Sequence, residues 1–353
     1  MFMQFALIAL FFIHSALSCQ LKNLVEALSE LAAASEQRMP FSSIWSTPKG
    51  TTMMPKIFQK DCKHLFAENK KIPSPAPGNL RIVSYNVHFW TSPFKKDTLN
   101  KIISILNTLK ADVTLLQEAY FDKDADTGAA ILFPILSDLK YTHHQACSSK
   151  LPTTPFFFGN IILTKFTPTE PPLTYQFTEP AVEDLRCFIN VKTKIHTTTI
   201  SLYGMHLAIQ EGCPADSMRK SELEELFTYI NKDSSDIIIV AADFNAFREQ
   251  DYRSDIWQKI LKNTAKHMSA SIEDVPTKTL KIFEEHGFND SFAFSHQKGP
   301  GFTVWTGTVV DFMFIKDTRN DSQKKQHPLH TKSYVYYSAA SDHLPLILDL
   351  TIQ

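Results

Sequence analysis

The chain has 353 residues, of which 43% are hydrophobic and 21% are charged, and its formal net charge is −1 at pH 7. This composition is ordinary for a globular protein with a large core, and the length permits one large domain or two ordinary ones. The near-zero charge excludes polyanion binding through an overall basic surface, so any such binding would depend on a local patch.

The first residues are typical of an export signal. Phe5 to Ile13 is an unbroken apolar run, about as long as the core of a signal peptide and too short to span a bilayer. Ala16-Leu17-Ser18 has small residues at its first and third positions, although no Lys or Arg precedes the apolar run. We predict a signal peptide over residues 1–18 and a protein that is secreted or held in the cell envelope, in the periplasm or at the outer membrane. A lipid anchor on Cys19 and an uncleaved membrane anchor are the alternatives.

The remaining cysteines are Cys62, Cys147, Cys187 and Cys213. In an exported chain an even number permits two disulfides, with three pairings, and free buried thiols are the alternative. Their spacing, which contains no CxxC or Cys/His pattern, does not indicate a zinc site.

A proline-rich linker divides the chain. Leu21 to Ala34 carries apolar residues at helical spacing and predicts one amphipathic helix, which either packs on the main domain or contacts a membrane surface. Pro73, Pro75 and Pro77 stiffen the segment before Gly78. We therefore assign residues 19–77 to an N-terminal helical extension with its linker, and residues 78–353 to the main domain.

Strands and helices alternate in the main domain. Strands are predicted at Leu80–Val87, Asp112–Leu116, Phe156–Thr164, Cys187–Lys194, Thr198–Met205, Ile237–Ala241, Val309–Ile315 and Leu344–Leu350. Helices are predicted at Asp97–Leu109, Thr127–Leu139, Ala215–Asn231, Asp251–Lys262 and Thr277–His286. Several strands follow one another directly, which favours a mixed sheet arrangement over a purely parallel one.

Polar residues occur where these hydrophobic strands stop. They are Asn86, Gln117-Glu118, His206, Asp243 with Asn245, Asp311 inside an apolar run, and Ser341-Asp342-His343 just before the last strand. Charged residues are rarely buried unless they are paired or bound to a metal. One such residue is an ordinary cap or turn residue, but six positions limited to Asp, Glu, Asn and His have the hard oxygen chemistry that Mg²⁺ requires. They also supply the groups needed to activate water and to stabilise a phosphoryl transition state.

These residues, in this order, resemble the endonuclease/exonuclease/phosphatase superfamily, over roughly Leu80 to Ile352. That superfamily includes deoxyribonuclease I, apurinic endonucleases, neutral sphingomyelinases, inositol-polyphosphate phosphatases and a toxin nuclease subunit. The resemblance implies an α/β (α+β) fold: a four-layer sandwich of two mixed β-sheets flanked by helices, with residues 78–353 as the catalytic domain. Any single motif is weak, and the ordered set carries the resemblance.

The resemblance also implies a role for each residue. Asn86, Glu118 and Asp342 would hold the metal, with Glu118 as the principal ligand. Mg²⁺ is the expected ion, with Mn²⁺ as the alternative.

The catalytic roles implied by the resemblance fall to five further residues. Asp243 would orient or deprotonate the attacking water, and Asn245 and His206 would donate hydrogen bonds to phosphoryl oxygens. His343 would contact the phosphate as an imidazolium, oriented by Asp311, because a neighbouring carboxylate favours the charged form.

Two further residues are expected to bind the substrate phosphate. Asn160 matches the family's GN-A-I-L-S element, and Arg186 precedes a strand where several members place a phosphate-binding Arg.

Three positions depart from the family pattern. Ala242 replaces the glycine of the GDxN motif, and Val309 stands where many members carry Arg or Lys. His88 occupies the place of a second acidic residue in apurinic endonucleases, which disfavours that branch.

The substrate stays open between nucleic acid and a phospholipid or inositol phosphate. A segment from His206 to Leu223 is similar to sphingomyelinase-like members, whereas Arg186-Cys187-Phe188 and the export signal suit the deoxyribonuclease I and toxin-nuclease branch. The leading hypothesis is phosphodiester hydrolysis by metal-activated water, with a sphingomyelinase-like enzyme or a phosphoinositide phosphatase as alternatives. We expect a monomer, with membrane association through the N-terminus left open. An inactive binding module on the same fold is the alternative from another class.

Overall fold

The fold is taken from a computed structural model of the chain. It describes residues 68–352 except 77, 91, 93–96, 123–137, 151–155, 179–185, 209–214, 268–270, 273–274, 276, 298–301 and 305–307. The predicted signal peptide, the anchor at Cys19, the helix at Leu21 to Ala34 and Cys62 all lie outside the described residues. So do Cys213 and most of the predicted helix Thr127–Leu139.

The described residues contain twelve strands and six α-helices. The strands are β1 (Asn79–Asn86), β2 (Val113–Asp122), β3 (His143–Lys150), β4 (Phe156–Thr164), β5 (Leu173–Gln176), β6 (Cys187–Ile195), β7 (Thr198–His206), β8 (Ile237–Asp243), β9 (Asn289–Asp290), β10 (Asp311–Asp317), β11 (His330–Val335) and β12 (Leu346–Thr351). The helices are α1 (Leu99–Leu109), α2 (Ala215–Ile230), α3 (Ser254–His267), α4 (Lys281–Glu285), α5 (Ser291–Phe294) and α6 (Asp321–Gln326). Short 3₁₀ turns occur at Asn69–Lys71, His88–Trp90 and Glu249–Asp251. None of these described helices is long and apolar enough to cross a membrane.

The strands form two six-stranded mixed sheets. The first has the order β11-β12-β1-β2-β4-β3 and the second has the order β5-β6-β7-β8-β10-β9. Near the centre of each sheet lies one parallel pair, β1 with β2 and β7 with β8, and the other described pairs are antiparallel. The same succession of pairings therefore runs through both sheets.

The sheets face each other across a shared apolar core. Successive side chains of a strand lie on opposite faces, so Leu80 and Ile82 of β1 point into this core, as does Ile239 of β8. A Cβ at Gly204 of β7 would lie only 3.0 Å from a side-chain carbon of Leu115. Glycine therefore permits the close approach of the two sheets at this point.

The helices cover the outer faces of the sandwich. α1 buries Ile102 and Leu106, one helical turn apart, against Val83 on the outer face of the first sheet. α2 packs Leu223 against Val240 on the outer face of the second sheet. The predicted four-layer sandwich of two mixed sheets flanked by helices is confirmed.

A disulfide joins the two sheets. Cys147 of β3 is bonded to Cys187 of β6, with an S–S distance of 2.10 Å. This bond occurs in one of the three pairings that the sequence left open, and the alternative of free thiols is wrong for these two residues.

Some predicted boundaries are wrong. The strand predicted at Asp112–Leu116 continues to Asp122, and the strand predicted from Val309 begins at Asp311. The helix predicted at Thr277–His286 is reduced to Lys281–Glu285. β3, β5 and β11 were not predicted, because their sequences are polar and carry little hydrophobic alternation.

Candidate active site

Four polar side chains lie where the two central parallel pairs end. β1 ends at Asn86 and β2 carries Glu118, while β7 ends at His206 and β8 ends at Asp243. The carboxyl ends of parallel strands lie at one edge of a sheet, so each pair delivers two side chains to the same place. All four side chains are buried. Topology alone therefore gathers two predicted ligands and two predicted catalytic residues.

Glu118 lies in a β-bulge. The pairing of β2 with β4 shifts between Leu116 and Ala119, so Gln117 and Glu118 together oppose the single residue Asn160. Glu118 has a φ of 52°, a left-handed conformation that costs about 1–3 kcal/mol at a non-glycine residue. Bulges beside functional sites redirect a side chain. Glu118 thus reaches the site from within a strand that was predicted to end before it.

Asn86 holds two carboxylates together. Its Nδ2 donates to Glu118 Oε1 at 3.1 Å and to Asp243 Oδ2 at 2.9 Å. Its Oδ1 accepts from the backbone nitrogen of His88 at 3.0 Å. Because a backbone N–H can only donate, this bond fixes which end of the amide faces the carboxylates. Asn86 therefore acts here as a bridge between the sheets, and the metal contact expected of it stays a prediction.

Asp342 lies at the outer side of the cluster, with a side chain that is 35% exposed. Its Oδ1 is 3.7 Å from His88 Nδ1 and within 3.2 Å of the hydroxyl of Ser341. That hydroxyl also lies 2.8 Å from the carbonyl oxygen of Asn86, which ties the segment to the end of β1. Burial and then the charge of Asp342 raise the pKa of Glu118. Two like charges therefore lie close together at this point.

Asp243 lies at the centre of the site. Its Oδ1 accepts from the backbone nitrogen of Asn245 at 3.0 Å, and its Oδ2 lies 3.4 Å from His206 Nε2 and 3.7 Å from His343 Nε2. Burial, followed by the charge of Asp311, raises the pKa of Asp243 to about 7. A carboxyl group with such a pKa exchanges protons near neutral pH, as a general base must.

His343 and Asp311 form a buried pair. Nδ1 of His343 lies 2.9 Å and 3.1 Å from the two carboxylate oxygens of Asp311. Burial lowers the pKa of His343, but the charges of Asp311, Asp243 and Asp342 outweigh it and raise that pKa well above the ordinary value. The raised pKa favours the imidazolium form near neutral pH, and the phosphate contact expected of His343 stays a prediction.

The pKa of His206 is shifted in the opposite direction to that of His343. Burial, and then the charges of Arg186, His343 and Arg219, lower its pKa well below the ordinary value. Asn245 Nδ2 lies 2.9 Å from His206 Nε2 and donates to the carbonyl oxygen of Leu207 at 3.0 Å. The second bond orients the amide, so Nε2 of a neutral His206 accepts from Asn245. These are contacts within the protein, so the hydrogen bonds to phosphoryl oxygens expected of His206 and Asn245 stay predictions.

Two guanidinium groups strengthen the positive charge beside His206. Arg186, just before β6, is 8% exposed, and Arg219, in α2, is 2% exposed. Both charges disfavour a proton on His206. Together with His343 they make this side of the cluster cationic and suited to an anion.

Asn160 lies opposite the bulge, on β4, and next to the disulfide. Its Nδ2 donates to the carbonyl oxygen of Cys187 at 3.0 Å, and its Oδ1 is buried with no described hydrogen-bond partner. The side-chain nitrogen of Asn160 therefore contacts both cysteines of the disulfide between β3 and β6. The phosphate contact expected of it stays a prediction.

The acidic groups fit a divalent cation. Among the described residues, Glu118, His206 and Asp243 offer ligand atoms within 4.8 Å of one another, and so do Asp243, Asp311 and His343. In the second set the imidazole is already paired with Asp311, so Glu118 presents an oxygen donor outside that pair, and burial and then the charge of Asp342 raise the pKa of Glu118. A bound cation reduces the repulsion between carboxylates that the fold holds close together. Mg²⁺ prefers oxygen ligands of this kind.

A family model describes the same region. Residues 83–343 match the model of the Endonuclease/Exonuclease/phosphatase family, which covers most of the chain. The chain belongs to the endonuclease/exonuclease/phosphatase family. Members hydrolyse phosphoesters and generally depend on a divalent metal, so this chain is a phosphoesterase of that family.

Solved structures of the endonuclease/exonuclease/phosphatase family share the fold. A member from Beutenbergia cavernae superposes with a TM-score of 0.58 and 14% identity, covering 78% of this chain and 72% of that one. A family protein from Leptotrichia buccalis gives 0.54 with 17% identity, covering 78% and 99%. The human Nocturnin catalytic domain with bound sulfate gives 0.53 with 16% identity, covering 78% and 94%. No curated protein matches the sequence significantly.

The structure thus brings together most of the residues predicted for an endonuclease/exonuclease/phosphatase site. Asn86, Glu118, His206, Asp243, Asn245, Asp311, Asp342 and His343 form one network of hydrogen bonds and short charge contacts. Arg186 acts on that network through its charge. Sequence reasoning named the Ser341-Asp342-His343 triplet and the segment that contains Arg219, but it assigned no role to Ser341 or to Arg219. Arg219 gave a weak signal as a charged residue on the buried side of a helix, and Ser341 gave one as the neighbour of Asp342.

Proposed function

We propose that the protein is a divalent-metal-dependent hydrolase of phosphodiesters. The observation that carries this proposal is the position of Asp243, a buried carboxylate with a pKa of about 7 that contacts Asn86, His206 and His343 at once. A base, a cation and hydrogen-bond donors therefore surround one point, which is what attack of water on a phosphoryl group requires.

Glu118 and Asp342 would hold the metal, with Asn86 keeping Glu118 in place. When bound, a Mg²⁺ or Mn²⁺ ion supplies Lewis-acid stabilisation of phosphoryl oxygens and makes water easier to deprotonate. The like charges of Glu118 and Asp342 support this assignment, because burial and that repulsion raise the pKa of Glu118 in the absence of a cation.

Asp243 takes the proton from the attacking water in this proposal. Asn86 and Asn245 each donate to one of its oxygens, which leaves the remaining lone pairs to receive a proton. The raised pKa of Asp243 makes it a stronger base than an ordinary carboxylate.

The cationic side of the cluster would stabilise the phosphoryl group. His343 carries a proton because its pKa is raised, and Asp311 keeps Nδ1 engaged so that Nε2 points inward toward Asp243. The charges of Arg186 and Arg219 add to the same side. Negative charge that develops on non-bridging oxygens would meet these groups already in place.

The substrate we favour is a nucleic-acid-like phosphodiester. A sphingomyelin-type phospholipid and a phosphoinositide are the alternatives that the same cluster accommodates. The Nocturnin catalytic domain, which has the same fold, was solved with a sulfate anion, and this supports binding of tetrahedral oxyanions by such a domain.

Export of the protein is part of the proposal. The disulfide between Cys147 and Cys187 supports it, since disulfides persist in oxidising compartments. We propose a secreted or envelope-held monomer, with the N-terminal segment as the place of any membrane attachment. N-terminal sequencing of the mature protein tests this: a start at Cys19 or a later residue supports export, and an intact Met1 in the cytoplasm contradicts it.

The activity test compares four phosphate esters with and without metal. Plasmid DNA, sphingomyelin vesicles, a phosphoinositide and bis(p-nitrophenyl) phosphate are incubated with the protein in Mg²⁺, Mn²⁺ or a chelator. We expect hydrolysis of DNA and of the generic diester that requires metal, and loss of turnover in Glu118→Gln. Glu225→Gln, which alters a carboxylate bonded to Tyr175 instead, is the matched control and keeps its activity. Inactivity on all four esters with both metals would overturn the proposal.

A further inference from the structure

Thr303 is a fully buried residue outside the site already described. Its relative exposure is 0%. Its hydroxyl oxygen accepts from the backbone nitrogen of Val310 at 3.1 Å and from that of Asp311 at 3.2 Å. The hydroxyl therefore holds the first residue of β10, which carries the carboxylate that orients His343.

The backbone of Thr303 bonds to the segment that carries His343. The carbonyl oxygen of Thr303 accepts from the nitrogen of Leu344 at 2.7 Å, and its neighbour Val304 forms an antiparallel bridge with His343. Leu344 follows His343 directly and leads into β12 of the first sheet, whereas Asp311 begins β10 of the second sheet. Thr303 thus bonds to the first residue of β10 in the second sheet and to the segment that leads into β12 of the first sheet.

The hydrogen bond between His343 and Asp311 is short and joins two separate segments of the chain. His343 Nδ1 lies 2.9 Å from Asp311 Oδ2, and the two residues are 32 positions apart in the chain. They belong to segments that are not neighbours in either sheet. A shift of one segment by about 1 Å would break a hydrogen bond of this length, and misplacement of that size costs on the order of 100-fold in rate.

We propose that Thr303 is a positioning residue that sets the distance between Asp311 and His343. Its hydroxyl fixes the carboxylate through the backbone of β10, and its carbonyl fixes the imidazole through Leu344. The catalytic consequence rests on the proposed phosphodiesterase function. The structural consequence, the Nδ1–H bond of His343 to Asp311, does not.

Two substitutions separate the hydroxyl from the shape of the side chain. Thr303→Val keeps the volume and removes the acceptor, whereas Thr303→Ser keeps the acceptor and removes a methyl group. Thr114→Val is the matched control, because Thr114 is also 0% exposed and its hydroxyl bonds to Tyr141, away from the catalytic cluster. Any general effect of burying an unpaired group appears in Thr114→Val as well.

The first readout needs no substrate. With ¹⁵N-labelled histidine in metal-free protein, the His343 Nδ1–H resonance reports its hydrogen bond to Asp311. We expect this resonance to move upfield or vanish through solvent exchange in Thr303→Val, and to stay in place in Thr303→Ser and Thr114→Val. Each variant is first shown to unfold in a single thermal transition. The resonances of the folded proteins can then be compared even when Thr303→Val is less stable.

The second readout is the rate of diester hydrolysis. We expect kcat to fall by on the order of 10- to 100-fold in Thr303→Val with a small change in KM, and to recover in Thr303→Ser. An unchanged resonance in Thr303→Val, or an equal loss of kcat in Thr114→Val, would overturn the inference. A shifted resonance in a protein that hydrolyses none of the esters would support it while removing the proposed function.

Discussion

The side-chain nitrogen of Asn86 donates a 2.9 Å hydrogen bond to the carboxylate of Asp243, and the two residues end strands of different sheets. They are 157 positions apart in the chain. The complete site therefore exists only when both sheets have formed and packed, because Asn86 and Asp243 belong to different sheets. Asn86 also holds Glu118, so one amide couples the base to the principal metal ligand.

Loss of that amide is expected to disable the enzyme more than it unfolds the protein. Asn86→Ala removes both donors, so Asp243 and Glu118 lose their fixed positions and kcat falls by on the order of 100-fold. The free energy of unfolding falls by about 1–3 kcal/mol, as for other buried hydrogen bonds that lose one partner. Steady-state kinetics and urea denaturation measure the two effects.

Asn190→Ala is the control for this variant. Asn190 is a buried amide of β6 that donates to Ser201 rather than to the site. It should lose a similar amount of stability and keep its kcat. Equal kinetic damage in both variants would contradict the positioning role of Asn86.

The pH dependence of hydrolysis should shift to lower pH when Asp311 is neutralised. The acid limb follows deprotonation of Asp243, whose pKa is raised to about 7 by burial and by the charge of Asp311. The alkaline limb follows deprotonation of His343, whose pKa is raised by Asp311 and two further carboxylates against the effect of burial. Asp311→Asn removes a charge that raises both pKa values, so both limbs move down.

A pH–rate profile of kcat/KM measures these limbs. Asp236→Asn is the control and should leave both limbs in place. Asp236 lies just before the start of β8, and its carboxylate is bonded to Thr199. Movement of only one limb in Asp311→Asn would mean that the other limb belongs to a different group.

Stability should depend on pH through His343 as well. The pKa of His343 in the folded state lies above 6.5, so its contribution to the free energy of unfolding is complete below that pH. The contribution is lost as pH rises through the folded-state pKa. Urea unfolding of the metal-free protein above pH 6.5 should show that the free energy of unfolding declines as pH rises. The decline should be smaller in His343→Asn. A decline of equal size in the variant would assign it to other groups.

Glu118→Gln should stabilise the metal-free protein and abolish its response to metal. Burial and then repulsion from Asp342 raise the pKa of Glu118, and a neutral Gln at this position relieves both costs. We expect Tm without metal to rise by about 2–4 °C, the shift that about 1 kcal/mol gives in a domain of this size. Mg²⁺ or Mn²⁺ should then raise Tm in the wild type only. A metal-induced rise of the same size in both proteins would show that the cation binds elsewhere.

Reduction of the disulfide should lower Tm substantially. Cys147 and Cys187 are 40 positions apart, and closing a loop of that length contributes about 4 kcal/mol in the chain-entropy description. A reductant should therefore lower Tm of the wild type by about 8–16 °C. The double variant Cys147→Ser, Cys187→Ser should melt at the lower temperature and not respond to the reductant. A response in that variant would point to a second disulfide.

The sequence predicted the fold well where strands are buried on both faces. β1, β7 and β8 lie within one or two residues of their predicted bounds, because continuous runs such as Ile237 to Ala241 permit few other structures. β3 was missed because His143–Lys150 is mostly polar, and it is a strand only because β4 supplies a partner. Pairing of this kind depends on tertiary contacts that local patterns do not contain.

The sequence indicated which residues lie together at the site, but not how each side chain is oriented or how its pKa is shifted. Strand ends and residue chemistry identified the acids, amides and histidines. The direction of the Asn86 amide depends on His88, and the pKa of His206 depends on burial and then on the charges of Arg186, His343 and Arg219. Such roles are decided by neighbours in space, and a sequence read along its length does not reveal them.

The bulge at Gln117 and Glu118 lowers the stability of the strand pairing but is needed for the proposed activity. Deleting Gln117 would restore regular pairing of β2 with β4 and remove a left-handed glutamate, so the ladder would gain regularity. The same deletion would turn Glu118 away from Asn86 and remove the principal ligand. Selection of this protein for heat resistance alone would therefore favour variants that straighten β2, and a thermostable library should be screened for turnover before any of its members is kept.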